Sequence, residues 1–261
     1  MDFKKVNLIA SKDIMEYLST VFPFISMFVA LCFLSIFFIS AVYAFFQAAF
    51  VAQAFPSFAK NFNVNDMIVT PYLGFVAFFS ILIIPIISAK AFSQERKLKT
   101  IELLFTYPFR EIELVFGKII SSFIIYFVFL FFAFLYLVLF IFVYSFINKG
   151  AMDFSIVISG FIGLLLLGLS VISISVFVST FVDDIVPAWA ISLVIVLIFW
   201  LIGYTGDFAN VMYKNFVKTI SLGNNFENFS KGVIDLKNVA YFLSFNLLFI
   251  YLSVISLMEK D

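Results

Sequence analysis

Six apolar runs limit what this chain can fold into. They occupy residues 21–50, 67–89, 119–147, 154–182, 185–204 and 239–258. About 20 helical residues cross a hydrocarbon core of roughly 30 Å, so each run is long enough to span a bilayer. Inside lipid every backbone polar group must be satisfied by protein, which leaves only helices and closed barrels. A barrel needs strands of about ten residues with alternating polarity, and no such alternation recurs. The expected fold is therefore an all-α membrane protein, with six transmembrane helices forming a single transmembrane domain over residues 1–261. Composition agrees: 64% of residues are hydrophobic and 12% charged, against about half and about a quarter in soluble domains. The first, third and fourth runs exceed the needed length and should tilt or protrude.

The same residues exclude several classes of function. Formal net charge is zero and no basic face is present, so nucleic acid is not an expected partner. Cys32 is the single cysteine, which rules out an intrachain disulfide. Histidine is absent, removing the commonest metal ligand and general base. No metal site is expected. Gly117-Lys118 runs into Ile119 without the upstream glycine of a phosphate loop, so ATP is not expected to bind this chain. The apolar runs carry no Asp, Glu, Lys or Arg away from their ends, which disfavours ion-coupled carriers. Gln47 and Gln53 lie near the outer end of the first run. Asn246 is the amide well inside a run and is expected to hydrogen-bond to a neighbouring helix. Residues 1–20 hold charges but no separate short apolar core, so they are not read as a cleavable signal.

Residues 6–20 have the pattern of an amphipathic helix, with Leu8, Ile9, Ile14, Tyr17 and Leu18 opposite Lys12, Asp13 and Glu16. Such a helix before a span should lie in the membrane interface, and Pro23 marks the start of the first span. Ten of the 16 Lys and Arg residues fall in the terminal segments and the 90–118 loop. That bias predicts both termini cytoplasmic. Ser159 and Gly163, with Gly160 and Gly168 near them, mark a face for close helix packing. Pro71 and Pro85 should kink the second span. Trp189, Trp200 and Tyr204 read as interface anchors.

Two polar stretches interrupt the apolar pattern. In residues 90–118, Leu98, Ile101, Leu104 and Phe105 recur at helical spacing. Glu95 and Lys99 are spaced for an i,i+4 pair. Pro108 should end the helix, and residues 112–116 predict a second short amphipathic turn. From pattern alone, this stretch is either a docking surface at the membrane or a solvated connector. In residues 206–238, Phe208, Val211, Met212, Phe216 and Ile220 predict an amphipathic helix on the outer side. Asp235 suits the N-cap of the last span.

The run Glu-Arg-Lys-x-Lys-Thr-x-Glu-Leu-Leu-x-Thr-x-Pro, followed by Glu-x-x-x-Gly-Lys, resembles the loop between the second and third spans of ABC-transporter permeases of the six-span exporter type. The resemblance implies that Glu95, Arg96, Thr100, Glu102, Leu103, Leu104, Pro108, Gly117 and Lys118 couple the chain to a cytoplasmic ABC ATPase. ATP and Mg would sit on that partner, with no cofactor bound directly here. Phe226, Glu227, Phe229, Gly232, Val233, Ile234 and Asp235 resemble a motif before the sixth span of gliding-motility permeases and their relatives. Those proteins often carry His at the position of Asn225. The resemblance further implies a second permease subunit, identical or paralogous, in a bacterial cytoplasmic (inner) membrane, surrounded by lipid. It implies a permease that is not itself an enzyme and exports a lipidic, amphipathic or peptide substrate. The alternative is a non-transporting component that passes ATPase work to a periplasmic partner in a motility or cofactor-maturation machine.

Overall fold

The computed structural model describes residues 2–54, 64–107, 109–148, 154–205 and 211–258. These residues form helices and no strand. The N-terminal helix α1 (Phe3–Ser19) precedes α2 (Val21–Ala54). A π-helical turn (Asn65–Val69) leads into α3 (Thr70–Ser88), followed by α4 (Lys90–Lys97), α5 (Ile101–Thr106) and α6 (Glu111–Asn148). After α7 (Phe154–Ser179) and α8 (Ile185–Thr205) come two short helices, α9 (Val211–Ile220) and α10 (Leu222–Ser230). The last helix is α11 (Leu236–Met258).

Six helical stretches are long and apolar enough to cross a membrane: Val21–Ala48, Asn65–Lys97, Glu111–Tyr144, Phe154–Ser179, Ile185–Thr205 and Leu236–Met258. They overlap the six apolar runs, but the second continues past residue 89 through α4 and the third begins earlier, at Glu111. The most apolar windows of the second and fourth spans are each 67% buried, and those of the first and fifth only 17%. Thus α3 and α7 form the centre of the bundle, while α2 and α8 present most of their apolar side chains outward. In lipid that outward face costs nothing, because the solvent is as apolar as the side chains.

Small residues let bulky ones interlock at the centre. A Cβ on Gly168 would stand 2.1 Å from Tyr126 Cε1, and one on Gly160 would stand 2.4 Å from Leu73 Cδ1. Tyr126 fills the first notch, donating its hydroxyl to the Leu164 carbonyl at 3.0 Å and lying 3.1 Å from Ser80 Oγ. Tyr72 likewise donates to the Ala133 carbonyl at 2.7 Å. Serine hydroxyls inside the spans donate to carbonyls one turn back, as Ser80, Ser88, Ser175 and Ser253 do. No water is needed to satisfy them.

Pro71 directly follows the π-helical turn, within one helical stretch that runs on from Asn65, and Pro85 lies inside α3. One expectation about the spans is corrected. Asn246 is 7% exposed and neither of its amide atoms has a hydrogen-bond partner. The backbone groups around it are committed to their own helices.

Candidate functional site

The charged stretch breaks into pieces for local reasons. Leu98 ends α4, and Lys99 adopts a left-handed φ of 56°. The amide of Thr100 then donates to the Glu95 carbonyl at 2.9 Å, and that of Lys99 to the Arg96 carbonyl at 3.0 Å. This paired arrangement is a Schellman cap, usually built on glycine. Lys99 is thereby exposed and turned away from the α4 surface. The expected Glu95–Lys99 pair does not form, because the helix it required ends between them.

Glu95 points inward instead. Its Oε1 accepts from Lys118 Nζ at 2.8 Å and from Lys12 Nζ at 3.1 Å. Lys118 also stands 3.4 Å from Asp13 Oδ2. Lys118 and Asp13 are 3% and 6% exposed, so these charges are out of water. Burial pushes the Asp13 carboxyl above its ordinary range, with Lys118 opposing that shift and Glu95 adding to it. Burial alone would lower the Lys12 ammonium, but Glu95 beside it carries the net shift upward. The cluster ties together α1, α4 and α6.

Close packing brings the three helices within reach of one another. Gly117 lies under Ile9, where a Cβ would meet Ile9 Cγ2 at 2.7 Å. Val6, Ile9, Ala10, Asp13 and Tyr17 form the buried stripe of α1, and Tyr17 donates to the Ile87 carbonyl at 2.8 Å. Residues 112–116 are not a separate turn. They belong to the first turns of α6, which runs unbroken from Glu111 to Asn148. Glu113 holds that start: it accepts from the Arg110 amide at 3.2 Å and from the Asp2 amide at 2.7 Å. The first of these bonds is the return half of a capping box.

On the other side of α4, Arg96 pairs with Asp183 at 3.5 Å and Lys97 with Asp184 at 2.9 Å. Both carboxylates lie in the turn between α7 and α8. Thus α4 is held by charge to α1, to α6 and to the turn between α7 and α8. Glu102 and Tyr107, on and just beyond α5, remain exposed.

At the opposite end of the bundle, the second motif builds a helical hairpin. Ser221 caps α10 by accepting from the Asn224 amide at 3.3 Å. Asn225 is buried and donates to the carbonyls of Thr219 and Ser221 at 2.9 and 2.8 Å, closing the end of α9. Phe226 and Phe229 press on α7, where a Cβ on Gly163 would come within 2.5 Å of Phe229. Ser159 donates to the Phe229 carbonyl at 2.7 Å. Glu227 forms an exposed i,i+4 pair with Lys231. Gly232, at φ 88°, ends α10 with a second Schellman cap, through Gly232 to Phe229 and Val233 to Asn228. Asp235 accepts from the Lys237 amide and starts α11.

Residues 9–261 match the family described as ABC-2 family transporter protein. The chain belongs to the ABC-2 transporter family. No curated protein matches it.

For this ABC-2 protein the predicted coupling residues divide into three groups. Glu95, Gly117 and Lys118 come together in the interior contacts of the charged end, while Arg96, on the other side of α4, pairs with the exposed Asp183. Thr100 and Glu102 are exposed beside them. Pro108 and the side chains of Leu103 and Leu104 lie outside the described residues. The outer-loop residues, at the far end of the bundle, cap and anchor the α9–α10 hairpin. Asp13 and its neighbour Lys12 were missed as members of the charged cluster. The signal was present: Asp13 falls four residues from both Ile9 and Tyr17, inside the apolar stripe of an amphipathic helix, where a carboxylate requires a buried partner.

Proposed function

We propose that this ABC-2 protein is the permease subunit of an ABC transporter, driven by a separate cytoplasmic ATPase that docks beneath α4 and α5. The family match over residues 9–261 carries the reading. Supporting it, nine of the 16 basic residues lie, among the described residues, at the end that holds α1 and α4–α5, the bias of a cytoplasmic face. Two permease subunits would form the pathway in a bacterial cytoplasmic membrane, each above one ATPase carrying ATP and Mg. The outward apolar faces of α2 and α8 suit contact with a second subunit or with lipid. An aromatic, uncharged bundle suits export of a lipidic, amphipathic or peptide substrate rather than an ion.

A push on α5 would reach the bundle through α4. That helix is pinned by Glu95 to α1 and α6, and by Arg96 and Lys97 to the α7–α8 turn. Displacing α4 would therefore move the ends of several spans together, as a switch between two packings requires. Co-purification with any ABC ATPase encoded beside it, in mild detergent, tests the reading. A stoichiometric complex with vanadate-sensitive ATP hydrolysis is expected, and absence of any ATPase partner overturns it.

A further inference from the structure

A cavity of about 370 Å³ lies at the end of the bundle opposite the charged cluster, between the end of α9, one side of α10 and the first turn of α11. Every described side chain lining it is an amide, a hydroxyl or an ammonium. Asn238, on the α11 wall, is 3% exposed, and its Nδ2 has no hydrogen-bond partner. Buried donors are as a rule paired, so one left open on a cavity wall calls for an acceptor inside that cavity. Beside it, Lys237 is exposed and forms no ion pair among the described residues. Asn224 and Asn228 stand one turn apart on α10, and their side-chain amides make no hydrogen bond among the described residues. The acidic residues of this segment are committed elsewhere. Glu227 pairs with Lys231, and Asp235 accepts from the Lys237 amide at 3.0 Å.

We infer that this cavity binds the phosphate group of a soluble solute, held by the Lys237 ammonium and the Asn238 amide. Its wall carries an unpaired cation and open amide donors but no carboxylate among the described lining residues, so it complements an anion. The donors stand on two walls, α10 and α11. A tetrahedral phosphate presents acceptor oxygens toward both, whereas a planar carboxylate presents its two in one plane. The lining offers no apolar side chain against which an acyl chain could lie, which selects a soluble solute over a lipid. Nothing of this kind occurs at the charged end, where each buried carboxylate already has a lysine. The inference goes beyond the proposed transport function, because the cavity lies away from α4 and α5 and its occupant needs no ATPase.

The test is phosphorus NMR of inorganic phosphate titrated with the purified full chain in dodecyl maltoside, at constant ionic strength. Saturable line broadening from a single site is expected. Lys237→Gln, an exposed change that leaves the fold intact, should weaken binding about tenfold, the effect of losing one hydrogen bond to a charged group. Lys237→Arg should keep most of it. Asn238→Leu should weaken binding as well, yet leave the melting temperature without phosphate at or above that of the parent, since it removes an unpaired buried amide. An asparagine with a purely structural role would lower that temperature instead. Lys231→Gln, an exposed lysine outside the cavity, should change nothing. Absence of saturable broadening overturns the inference, as does binding that survives Lys237→Gln undiminished. A phospholipid that co-purifies with the parent chain and is lost from Lys237→Gln would place a headgroup in the cavity and overturn the soluble assignment.

Discussion

Lys118 Nζ and Glu95 Oε1 meet at 2.8 Å in the interior, joining the first turns of α6 to α4. Removing Lys118 would leave Glu95 and Asp13 buried together without their shared cation. Breaking a buried pair from one side costs roughly 3–5 kcal/mol. Lys118→Met should lower the thermal unfolding temperature in detergent far more than Asp13→Asn, which preserves the Lys118–Glu95 contact and should stay within about 1 kcal/mol of the parent. Equal losses in the two variants would show that the 3.4 Å Lys118–Asp13 contact matters as much as the 2.8 Å one.

Asp13 also sets a sign for pH dependence. Its carboxyl is raised above 3.8 by burial, so the folded protein takes up this proton before the unfolded chain does. Ionised Asp13 therefore lowers stability at neutral pH, and that cost is relieved as pH falls through the raised value. Parent protein should gain stability relative to Asp13→Asn on acidification. A conventional stabilising ion pair, with its carboxyl pKa depressed, would give the opposite trend in the same melting curves.

Lys99 holds a left-handed conformation that costs an L-residue about 1–2 kcal/mol. Lys99→Gly should recover about 1 kcal/mol of stability in that same assay. Lys99→Pro should destabilise, since proline fixes φ near −65° and removes the amide that donates to Arg96. A destabilising glycine would mean that the lysine side chain, and not the cap, holds the turn.

Gly163→Val should dislodge the α9–α10 hairpin, because its Cβ would fall 2.5 Å from that of Phe229. In a Cys32→Ser background, a Ser230→Cys reporter should resist maleimide when Gly163 is present and react when it is valine. Gly74→Ala, with nothing within 4 Å of the new Cβ, is the control that should change nothing.

The spans were legible in the sequence because lipid imposes one length and one polarity on each of them. The break inside the charged stretch was not. Gly232 announces its left-handed cap, whereas Lys99 adopts the same geometry without the residue that usually marks it. The expected Glu95–Lys99 pair failed for that reason. The partners of Glu95 were hidden because they are remote in sequence: Lys118 lies in the next span and Lys12 in the first helix. Spacing on a single helix cannot show contacts of that kind. The outer motif was visible as a pattern, but its capping roles emerge only when α10 is laid against Gly163 and Ser159. The order in which Asp13 joins the apolar stripe of α1 was readable, yet Asp13 sits between Lys12 and Ile14, which drew it to the polar face.

In the proposed transporter an ATPase docks on the exposed side of α5, outside the Glu95–Lys118 cluster. The most direct measurement is its affinity for purified permease variants with melting temperatures matched to the parent. Glu102→Arg should weaken association by roughly 2–5 kcal/mol, the cost of reversing a charge at a desolvated interface. Glu227→Arg, at the far end of the bundle, should leave affinity unchanged. Full association of the Glu102→Arg permease, with hydrolysis coupled as in the parent, would contradict docking at this surface.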